Sequence, residues 1–498
     1  MAGTRAATTA GQVVGLERAG GAVFRGIPFA APPVGALRFQ PPRPPERWDG
    51  ARDCTRPGPA CPQVLTGGTG GVMHVFDPTG PMDEDCLNLD VWTPGADDGA
   101  RPVMVWVHGG GFRSGSGACP LYDGDAFVRD GIVLVTVNYR LHAFGFLYLD
   151  ELFDGARGTG NLGLLDQVAA LEWVRDNIAA FGGDPANVTV FGQSAGAMSI
   201  GALLSIGGPF AKAIAQSGAG HHALSSSGAA AVARRTLELL GTRPGDWDAL
   251  RGLGAAAITN AAARVGLDAG ALLADEFSAA MPYQPVIDGP VLTARPITAI
   301  TSGAAVGKDV IVGTCADELR VVAWGMPEEV QRRRLDPAVP PVLAANGVGL
   351  AEAEAVYGPA PDLLDTHLAM ETDYRYAVPA ASLADRQGRH ARTWAYRVSW
   401  PTPVAGGRLG ACHGVDVPFV FGTFAHAEPL VGTAPPRELG DAVHSAWVRF
   451  AATGDPGWPA YGSGGRAVMD FGGAEPRVVH DPDAARRVMW QPVVDSWC

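Results

Sequence analysis

The sequence is poor in lysine, with only Lys212 and Lys308 among its 498 residues, so arginine carries almost all of the positive charge. Chemistry that forms a Schiff base on a lysine therefore has little support. The 51 acidic residues outnumber the 38 basic ones and give a net charge of −13. Because a chain of this charge repels phosphate backbones and anionic membrane surfaces, we expect neither nucleic acid nor a membrane as a partner.

Metal and redox motifs are also missing. The seven cysteines form no C-x-x-C pair, and no H-E-x-x-H run occurs, so the sequence predicts no metal site and no cofactor. Cys61 and Cys86 could close a loop as a disulfide, but a reducing cytoplasm would leave both as thiols.

No apolar run approaches the length that crosses a bilayer, and the first ten residues lack the apolar core of a secretory signal. We therefore expect a soluble, cytoplasmic protein. The hydrophobic content of 47% is sufficient for a large buried core. Whether the protein is a monomer or a homo-oligomer stays open.

Two glycine-rich runs imitate nucleotide-binding motifs. Residues 158–163 fit G-x-G-x-x-G, but residues 150–157 before them do not form a strand pattern. Residues 303–308 resemble a P-loop that has one residue too few between its glycines, and Asp309 stands where Ser or Thr is required. Neither run predicts a nucleotide site.

What the sequence does contain is a series of buried strands. Residues 103–107 and 132–137 are nearly continuous apolar runs, typical of strands covered on both faces of a sheet. Residues 310–312 and 393–398 predict further strands, and the apolar spacing over 166–180 predicts a helix. Strands that alternate with helices in this order predict an α/β fold with a large, mostly parallel, doubly wound sheet.

Two stretches interrupt this alternation, at about 221–280 and about 320–392. Both are rich in alanine and in residues that favour helices. We interpret them as helical insertions that lie over the sheet, within a single domain that covers residues 1–498.

The most informative run is residues 188–197, where a β-branched strand leads directly into Gly-x-Ser-x-Gly around Ser194. In a nucleophile elbow the serine lies on a strained strand-to-helix turn, so Gly192 and Gly196 supply the small residues that the turn requires. Ser194 then lies at a helix N-terminus, where unpaired backbone N–H groups can stabilise a developing negative charge. This pattern predicts an acyl-transfer nucleophile.

A serine nucleophile needs a histidine base and an acid that orients it, in the chain order serine, acid, histidine. His413 meets this requirement, since it lies in a glycine-containing loop after the strand that ends at Val398. The other late histidines lie in a helical insertion or lack a flanking glycine turn: His367, His390, His426, His444 and His480. For the acid, the strand at 310–312 leads to Asp317 and Glu318, and these residues alone do not distinguish the two.

An oxyanion hole is predicted at residues 108–112, His-Gly-Gly-Gly-Phe, directly after the strand at 103–107. Three glycines allow backbone N–H groups to approach a tetrahedral oxygen without a Cβ in the way.

These motifs and several others together resemble the type-B carboxylesterase family of the α/β-hydrolase fold, from about residue 14 to about residue 456. The further matches are the runs at 24–30, 32–35, 37–39, 84–89 and 181–185. The resemblance implies a serine carboxylesterase that acts on small-molecule esters through an acyl-enzyme, without a cofactor. It also implies that the acid is Glu318, that the base is His413, and that the oxyanion donors are Gly110, Gly111 and Ala195.

The sequence departs from the family pattern at three places. Gln193 precedes the serine where the family usually has glutamate, and Leu319 follows the acid where glycine is frequent. No tryptophan lies between Cys61 and Cys86, where the cholinesterase branch uses one to hold quaternary ammonium groups. A preference for choline esters is therefore not expected.

Two alternative functions are compatible with the same motifs. The acyl-enzyme could be captured by an alcohol, an amine or an internal hydroxyl, which would make the protein an acyltransferase, a cyclase or a lactonase. Relatives of this fold also serve as inactive scaffold proteins, but those lack members of the triad, and here Ser194, Glu318 and His413 fill all three positions.

Overall fold

The computed structural model describes residues 3–65, 71–274, 276–323, 329, 343–358, 363–463 and 465–498. Within this part, fourteen strands form two sheets. The strands are β1 Arg5–Ala7, β2 Gln12–Val14, β3 Leu16–Arg18, β4 Gly21–Pro28, β5 Ala51–Asp53, β6 Asn88–Thr93, β7 Arg101–Val107, β8 Val133–Val137, β9 Gly183–Gln193, β10 Lys212–Gln216, β11 Asp309–Cys315, β12 Thr393–Val398, β13 Ala467–Phe471 and β14 Arg477–His480.

The large sheet has eleven strands in the order β14-β13-β12-β11-β10-β9-β7-β8-β6-β4-β3, and β1, β2 and β5 form a small second sheet. The strands from β8 to β13 pair in parallel, while β14 and the β6-β4-β3 end are antiparallel. This confirms the predicted mostly parallel sheet. The four predicted strands and the one before Ser194 all exist, with boundaries that extend one to several residues beyond most of the apolar runs.

The register of the parallel strands aligns their carboxyl ends. Val107 of β7 pairs with Gly192 of β9, and Gln193 pairs with Gln216 at the end of β10. Further along, Cys315 ends β11 beside Val398 of β12. Since ligands of open α/β sheets bind beyond the carboxyl ends of the strands, this edge is where a site is expected.

Helices cover the sheet. The α-helices of the described residues are Asp125–Arg129, His142–Phe146, Leu162–Asn177, Ala195–Ser205, Ser226–Leu240, Trp247–Arg251, Ala255–Leu272, Pro296–Thr301, Arg320–Ala323, Leu350–Tyr357, Leu363–Thr372, Val378–Gln387, Val417–Phe421, Glu428–Val431, Arg437–Thr453 and Ala484–Asp495. A π-helical turn, Asp373–Ala377, joins two of them. Helices therefore dominate the described parts of 221–280 and 320–392. Residues 275, 324–328, 330–342 and 359–362 of these predicted insertions lie outside the described residues.

The helix predicted at 166–180 runs from Leu162 to Asn177 and continues as the 3₁₀ turn Ile178–Phe181. Its start lies four residues earlier than predicted because the first turn, Leu-Gly-Leu-Leu, is buried almost all round and shows no amphipathic spacing. Its end tightens to 3₁₀ geometry before Gly182, whose φ of 77° stops the helix.

Side chains on alternate positions of β7 enter two separate cores, as the pleat of a strand requires. Val103, Val105 and Val107 belong to one core cluster. Met104 and Trp106 belong to the other, where the Trp106 ring lies 4.8 Å from Phe191 and 5.0 Å from Phe421 between ring centroids. Burial on both faces explains why the strand is apolar throughout.

Candidate active site

Ser194 occupies a strained turn between β9 and the Ala195–Ser205 helix. Its backbone has φ 57° and ψ −123°, outside the regions that L residues ordinarily adopt. Two hydrogen bonds hold this conformation: the Ser194 N–H donates to Gln216 O at 2.8 Å, and Ser194 O accepts from Met198 N at 2.9 Å. The turn predicted from Gly-x-Ser-x-Gly is therefore present.

The two glycines of the motif allow close contact with β7. A Cβ on Gly192 would lie 2.5 Å from Val107 O, and a Cβ on Gly196 would overlap the same oxygen. Any larger residue would push the elbow away from the end of β7. Because β7 continues into the predicted oxyanion loop, this contact sets the distance between nucleophile and loop.

Glu318 follows β11 and is fully buried. Its Oε1 accepts from Cys315 N at 2.8 Å, and its Oε2 lies 2.5 Å from His413 Nδ1. The His413 backbone N–H also donates to Glu318 O at 3.2 Å. Because a carboxylate only accepts, Nδ1 of His413 carries a proton and Nε2 of the neutral ring is left as an acceptor.

The neighbouring Asp317 has a different environment. Its carboxylate accepts from Ala411 N at 2.9 Å and from Arg320 Nε at 3.1 Å, and 35% of its side chain is exposed. Asp317 thus holds the loop before His413 without contacting the imidazole. The structure brings Glu318 to the histidine, in agreement with the resemblance.

The imidazole of His413 also reaches the elbow. Its Nε2 lies 3.0 Å from Nε2 of Gln193, the residue next to Ser194 in the chain. The ring of Tyr376, from the π-helical turn, lies 5.1 Å from the imidazole between centroids. Ser194 is nine-tenths buried, and none of the hydrogen bonds found among the described residues uses its hydroxyl.

The predicted oxyanion loop lies against the nucleophile. A Cβ on Gly109 would lie 3.1 Å from Ser194 Cβ. Gly110 and Gly111 have φ of 108° and 61°, which glycine adopts without strain. In the part of the chain that the structure describes, the backbone N–H groups of Gly110, Gly111 and Ala195 donate to no protein acceptor. These three backbone donors are therefore free.

A buried polar chain behind the site was not anticipated from the sequence. Asp416 accepts from Gln216 Nε2 at 2.8 Å and from Tyr396 OH at 3.1 Å, and Trp447 Nε1 donates to Gln216 Oε1 at 3.1 Å. Burial raises the pKa of Asp416. This chain ties the His413 loop to the end of β10. Its signal in the sequence was Gln216, a polar residue that ends an apolar strand.

Tyr376 was also missed, as was Thr372, whose Oγ1 accepts from Leu319 N at 3.3 Å. Both lie in the helical stretch at 320–392, far along the chain from the residues they contact. No local pattern marks them.

A cavity of about 350 Å³ opens beside the oxyanion loop. It is lined by Val64, Leu65, Gly111, Arg113, Ser114, His142, Thr259, Ala262, Ala263, Gly266, Leu267, Ala280, Met281, Pro282 and Tyr283. Five of these come from the Ala255–Leu272 helix. Among the described residues that line it, Arg113 alone has a permanent charge, so the cavity suits a mostly apolar group.

Two buried histidines support this region without taking part in the Glu318–His413 pair. His108 stacks on Tyr139 with centroids 4.5 Å apart, and His142 Nε2 donates to Pro62 O at 2.6 Å. Burial lowers the pKa of each to about 4. Both rings are therefore neutral near pH 7.

The G-x-G-x-x-G imitation at 158–163 has a structural role. The carboxylate of Asp150 accepts from Gly158 N at 2.5 Å and from Thr159 N at 3.0 Å. The backbone donors that would bind a phosphate are already occupied. The segment before them, 150–157, forms turns and no strand, as predicted.

Within the described ranges, no group of three or more His, Cys, Asp or Glu side chains could hold a metal ion. Among the same residues, no helix has both the length and the apolar character that crossing a membrane requires. All seven cysteines are free thiols, and Cys61 and Cys86 are both buried. Contact with Cys61 and burial raise the pKa of the Cys86 thiol well above its ordinary value.

Comparison with known proteins adds independent evidence. A family model described as "Carboxylesterase family" matches residues 3–490. The para-nitrobenzyl esterase of Bacillus subtilis is 37% identical over 492 residues, which cover 96% of this chain and 97% of that protein. The phenmedipham hydrolase of Pseudarthrobacter oxydans is 34% identical over 508 residues, which cover 95% of this chain and 96% of that protein.

Solved structures agree. A carboxylesterase from Geobacillus stearothermophilus at pH 6.2 matches with a TM-score of 0.86 at 37% identity, over 98% of this chain and 100% of that one. A PNB esterase matches with a TM-score of 0.85 at 36% identity, over 98% of this chain and 99% of that one. The predicted α/β-hydrolase fold is thereby confirmed.

Proposed function

Since the chain belongs to the carboxylesterase family and hydrolyses carboxylic esters, we propose that Ser194, His413 and Glu318 are its catalytic triad. Ser194 is the nucleophile, His413 the general base, and Glu318 the acid that orients the imidazole. Gly110, Gly111 and Ala195 supply the oxyanion donors. The observation that carries this proposal is the 2.5 Å contact between Glu318 and Nδ1 of a histidine whose other nitrogen lies beside the strained elbow.

The reaction follows from these positions. Ser194 Oγ attacks the ester carbonyl as its proton passes to His413 Nε2, and the free N–H groups bind the oxyanion. His413 then donates the proton to the leaving alkoxide, and the acyl group remains on Ser194. Water, deprotonated by His413, attacks the acyl-enzyme. The bond between the acyl carbon and Ser194 Oγ then breaks, the acid is released, and Oγ recovers a proton from His413. During both acylation and deacylation, the buried Glu318 carboxylate accepts a hydrogen bond from His413 Nδ1–H and stabilises the imidazolium.

For the substrate, we propose small esters with an uncharged, largely apolar group that occupies the cavity beside Gly111. Its lining by Ala262, Ala263 and Gly266 leaves a wide space close to the oxyanion donors. Relatives named para-nitrobenzyl esterase and phenmedipham hydrolase support a small organic substrate. We propose further that the stretches 221–280 and 320–392 form the pocket walls within one domain.

A cytoplasmic location is also part of this proposal. All seven cysteines are free, including the buried Cys61 and Cys86. Free thiols fit a reducing compartment.

The test of the triad uses Ser194→Ala and p-nitrophenyl butyrate. Loss of the nucleophile lowers kcat by about 10⁵-fold or more, while thermal unfolding stays close to that of the wild type because the hydroxyl makes no hydrogen bond here. An organophosphonate adds mass to the wild-type peptide that contains Ser194 and none to the variant. Unchanged turnover in the variant, or an adduct on another residue, contradicts the proposal.

A further inference from the structure

Gln193 makes a contact that the triad mechanism does not use. The residue is buried and immediately precedes Ser194. Its amide Nε2 lies 3.0 Å from His413 Nε2, the nitrogen that must receive the serine proton. In this state the base is therefore hydrogen-bonded to the neighbour of the nucleophile.

The direction of this hydrogen bond follows from the other side of the ring. Glu318 takes the proton on His413 Nδ1, so Nε2 of the neutral imidazole can only accept. The amide must then present its NH₂ group, which donates to Nε2. A glutamate at this position could not do so, since an ionised carboxylate has no proton to donate.

Glycine backbone borders the amide closely. A Cβ on Gly109 would lie 3.0 Å from Gln193 Oε1, and a Cβ on Gly414 would lie 3.8 Å from its Nε2. Both bordering positions are glycine, so no Cβ from them displaces the amide from His413 Nε2.

The titratable groups around the imidazole come from three elements. Glu318 faces Nδ1 from the turn after β11, Tyr376 packs on the ring from the π-helical turn, and Asp416 lies on the loop of His413 itself. Asp416 is hydrogen-bonded to Gln216 and Tyr396, and burial raises the pKa of Tyr376, which keeps it neutral. The partner of Nε2 is the uncharged Gln193.

On the basis of the proposed triad, we propose that Gln193 is a positioning residue for the neutral form of His413. Its NH₂ group donates to the single lone pair of Nε2 and holds the neutral ring in place before the reaction. When substrate binds, the Ser194 hydroxyl replaces the amide at that lone pair. Nε2 then receives the serine proton as the Oγ–C bond forms and passes it to the leaving alkoxide. An uncharged amide does not attract a proton to Nε2 as a carboxylate would, so hydrolysis extends to lower pH than it would with an acidic residue here.

The experiment compares Gln193→Glu and Gln193→Met with the wild type, as kcat/KM for p-nitrophenyl butyrate against pH. In Gln193→Glu a carboxylate beside Nε2 favours the imidazolium, so the acidic limb moves to higher pH by about 1 unit. In Gln193→Met the shape is similar, but the donor is lost and no charge is added, so the acidic limb moves much less than in Gln193→Glu and kcat/KM falls by about fivefold. Gln12→Glu, on an exposed strand position, adds the same charge far from the site and leaves the profile unchanged.

A second measurement does not need turnover. Intact mass spectrometry follows the rate at which an organophosphonate labels Ser194 at each pH. This rate also depends on His413 as the base, so its acidic limb should shift in Gln193→Glu as the kcat/KM profile does. If both profiles of Gln193→Glu coincide with the wild type, or if Gln193→Met reproduces its shift, this role of Gln193 is wrong while the triad stands. A wild-type Ser194 that is unreactive at every pH would overturn the triad as well.

Discussion

The two halves of the site are built differently. At the catalytic edge, each oxygen of the fully buried Glu318 has a hydrogen-bond partner, and His413 is held from both ring nitrogens. In the cavity beside Gly111, the wall is a helix of small residues, and Leu267 at its rim is 88% exposed. One half fixes atoms through polar contacts, and the other provides space.

This difference separates chemistry from selectivity. The proposed catalytic groups project from strand ends whose register is fixed by the whole sheet, so we expect a change there to alter the reaction itself. The Ala255–Leu272 helix contributes only part of the cavity surface. We therefore expect its exposed or half-buried positions to change which ester is accepted while the reaction on small esters continues.

The largest effect should come from substituting two adjacent carboxylates, Glu318 and Asp317, one at a time. Glu318→Gln removes the charge that orients and stabilises the imidazole, and we expect kcat to fall by about 10⁴-fold. Asp317→Asn is the matched control, because Asp317 contacts Arg320 and the loop backbone instead of the ring. Its kcat should stay within about tenfold of the wild type. Equal losses in the two variants would remove Glu318 from the triad. Steady-state kinetics with p-nitrophenyl butyrate give the kcat of both variants.

The next effect concerns stability at low pH on the cavity side. His142 is fully buried, and its pKa falls from 6.5 to about 4 on folding. The unfolded chain binds the proton more readily between these values, so the free energy of unfolding decreases as the pH falls below 6.5. At pH 5 one such histidine costs about 2 kcal/mol relative to pH 7.

Urea unfolding of the wild type and of His142→Gln at pH 7 and pH 5 measures this cost. Glutamine does not titrate, and its amide can still donate to Pro62 O. The difference between the two proteins removes the contributions of other titrating groups. From pH 7 to pH 5, the free energy of unfolding of the wild type should fall by about 2 kcal/mol more than that of His142→Gln. A gap that is equal at both pH values would show that His142 is not the source.

The smallest effect tests the cavity wall. In the structure a Cβ on Gly266 meets no atom within 4 Å, so Gly266→Leu extends a side chain into the space that a large ester group would use. We expect kcat/KM for para-nitrobenzyl esters to fall by about tenfold, while p-nitrophenyl acetate changes by less than about twofold.

Gly270→Leu provides the control for this variant. Gly270 lies on the same helix, is exposed and also has open space around it, but it does not line the cavity. Both variants gain helix propensity equally. If they change the selectivity to the same degree, the cavity does not bind the substrate.

Much of the catalytic edge could be predicted from the sequence because its signals are local. The elbow needs small residues at fixed offsets from Ser194, and an oxyanion loop needs glycines directly after a strand. Asp317 and Glu318 could not be distinguished in this way. They are adjacent on one turn, and only the path of the chain after β11 decides which carboxylate faces His413.

The contacts of Gln193, Tyr376 and the cavity wall were beyond such reasoning. Gln193 and His413 are 220 positions apart, and Tyr376 lies in a helical stretch whose composition indicates only that it is a helix. For the cavity, small residues such as Ala262 and Gly266 are equally compatible with tight helix packing and with an open space.

The sequence by itself determined the strands and the elbow and predicted the oxyanion loop and the histidine, because each of these signals depends on residues close together in the chain. Local patterns left open which carboxylate meets His413, and only the family resemblance pointed to Glu318. Tertiary structure alone decided what occupies the second nitrogen of His413 and how much room lies beside Gly111. These depend on how eleven strands align at one edge and on how distant helices close over it. Such distances arise from the packing of the whole core, which no local pattern of residues encodes.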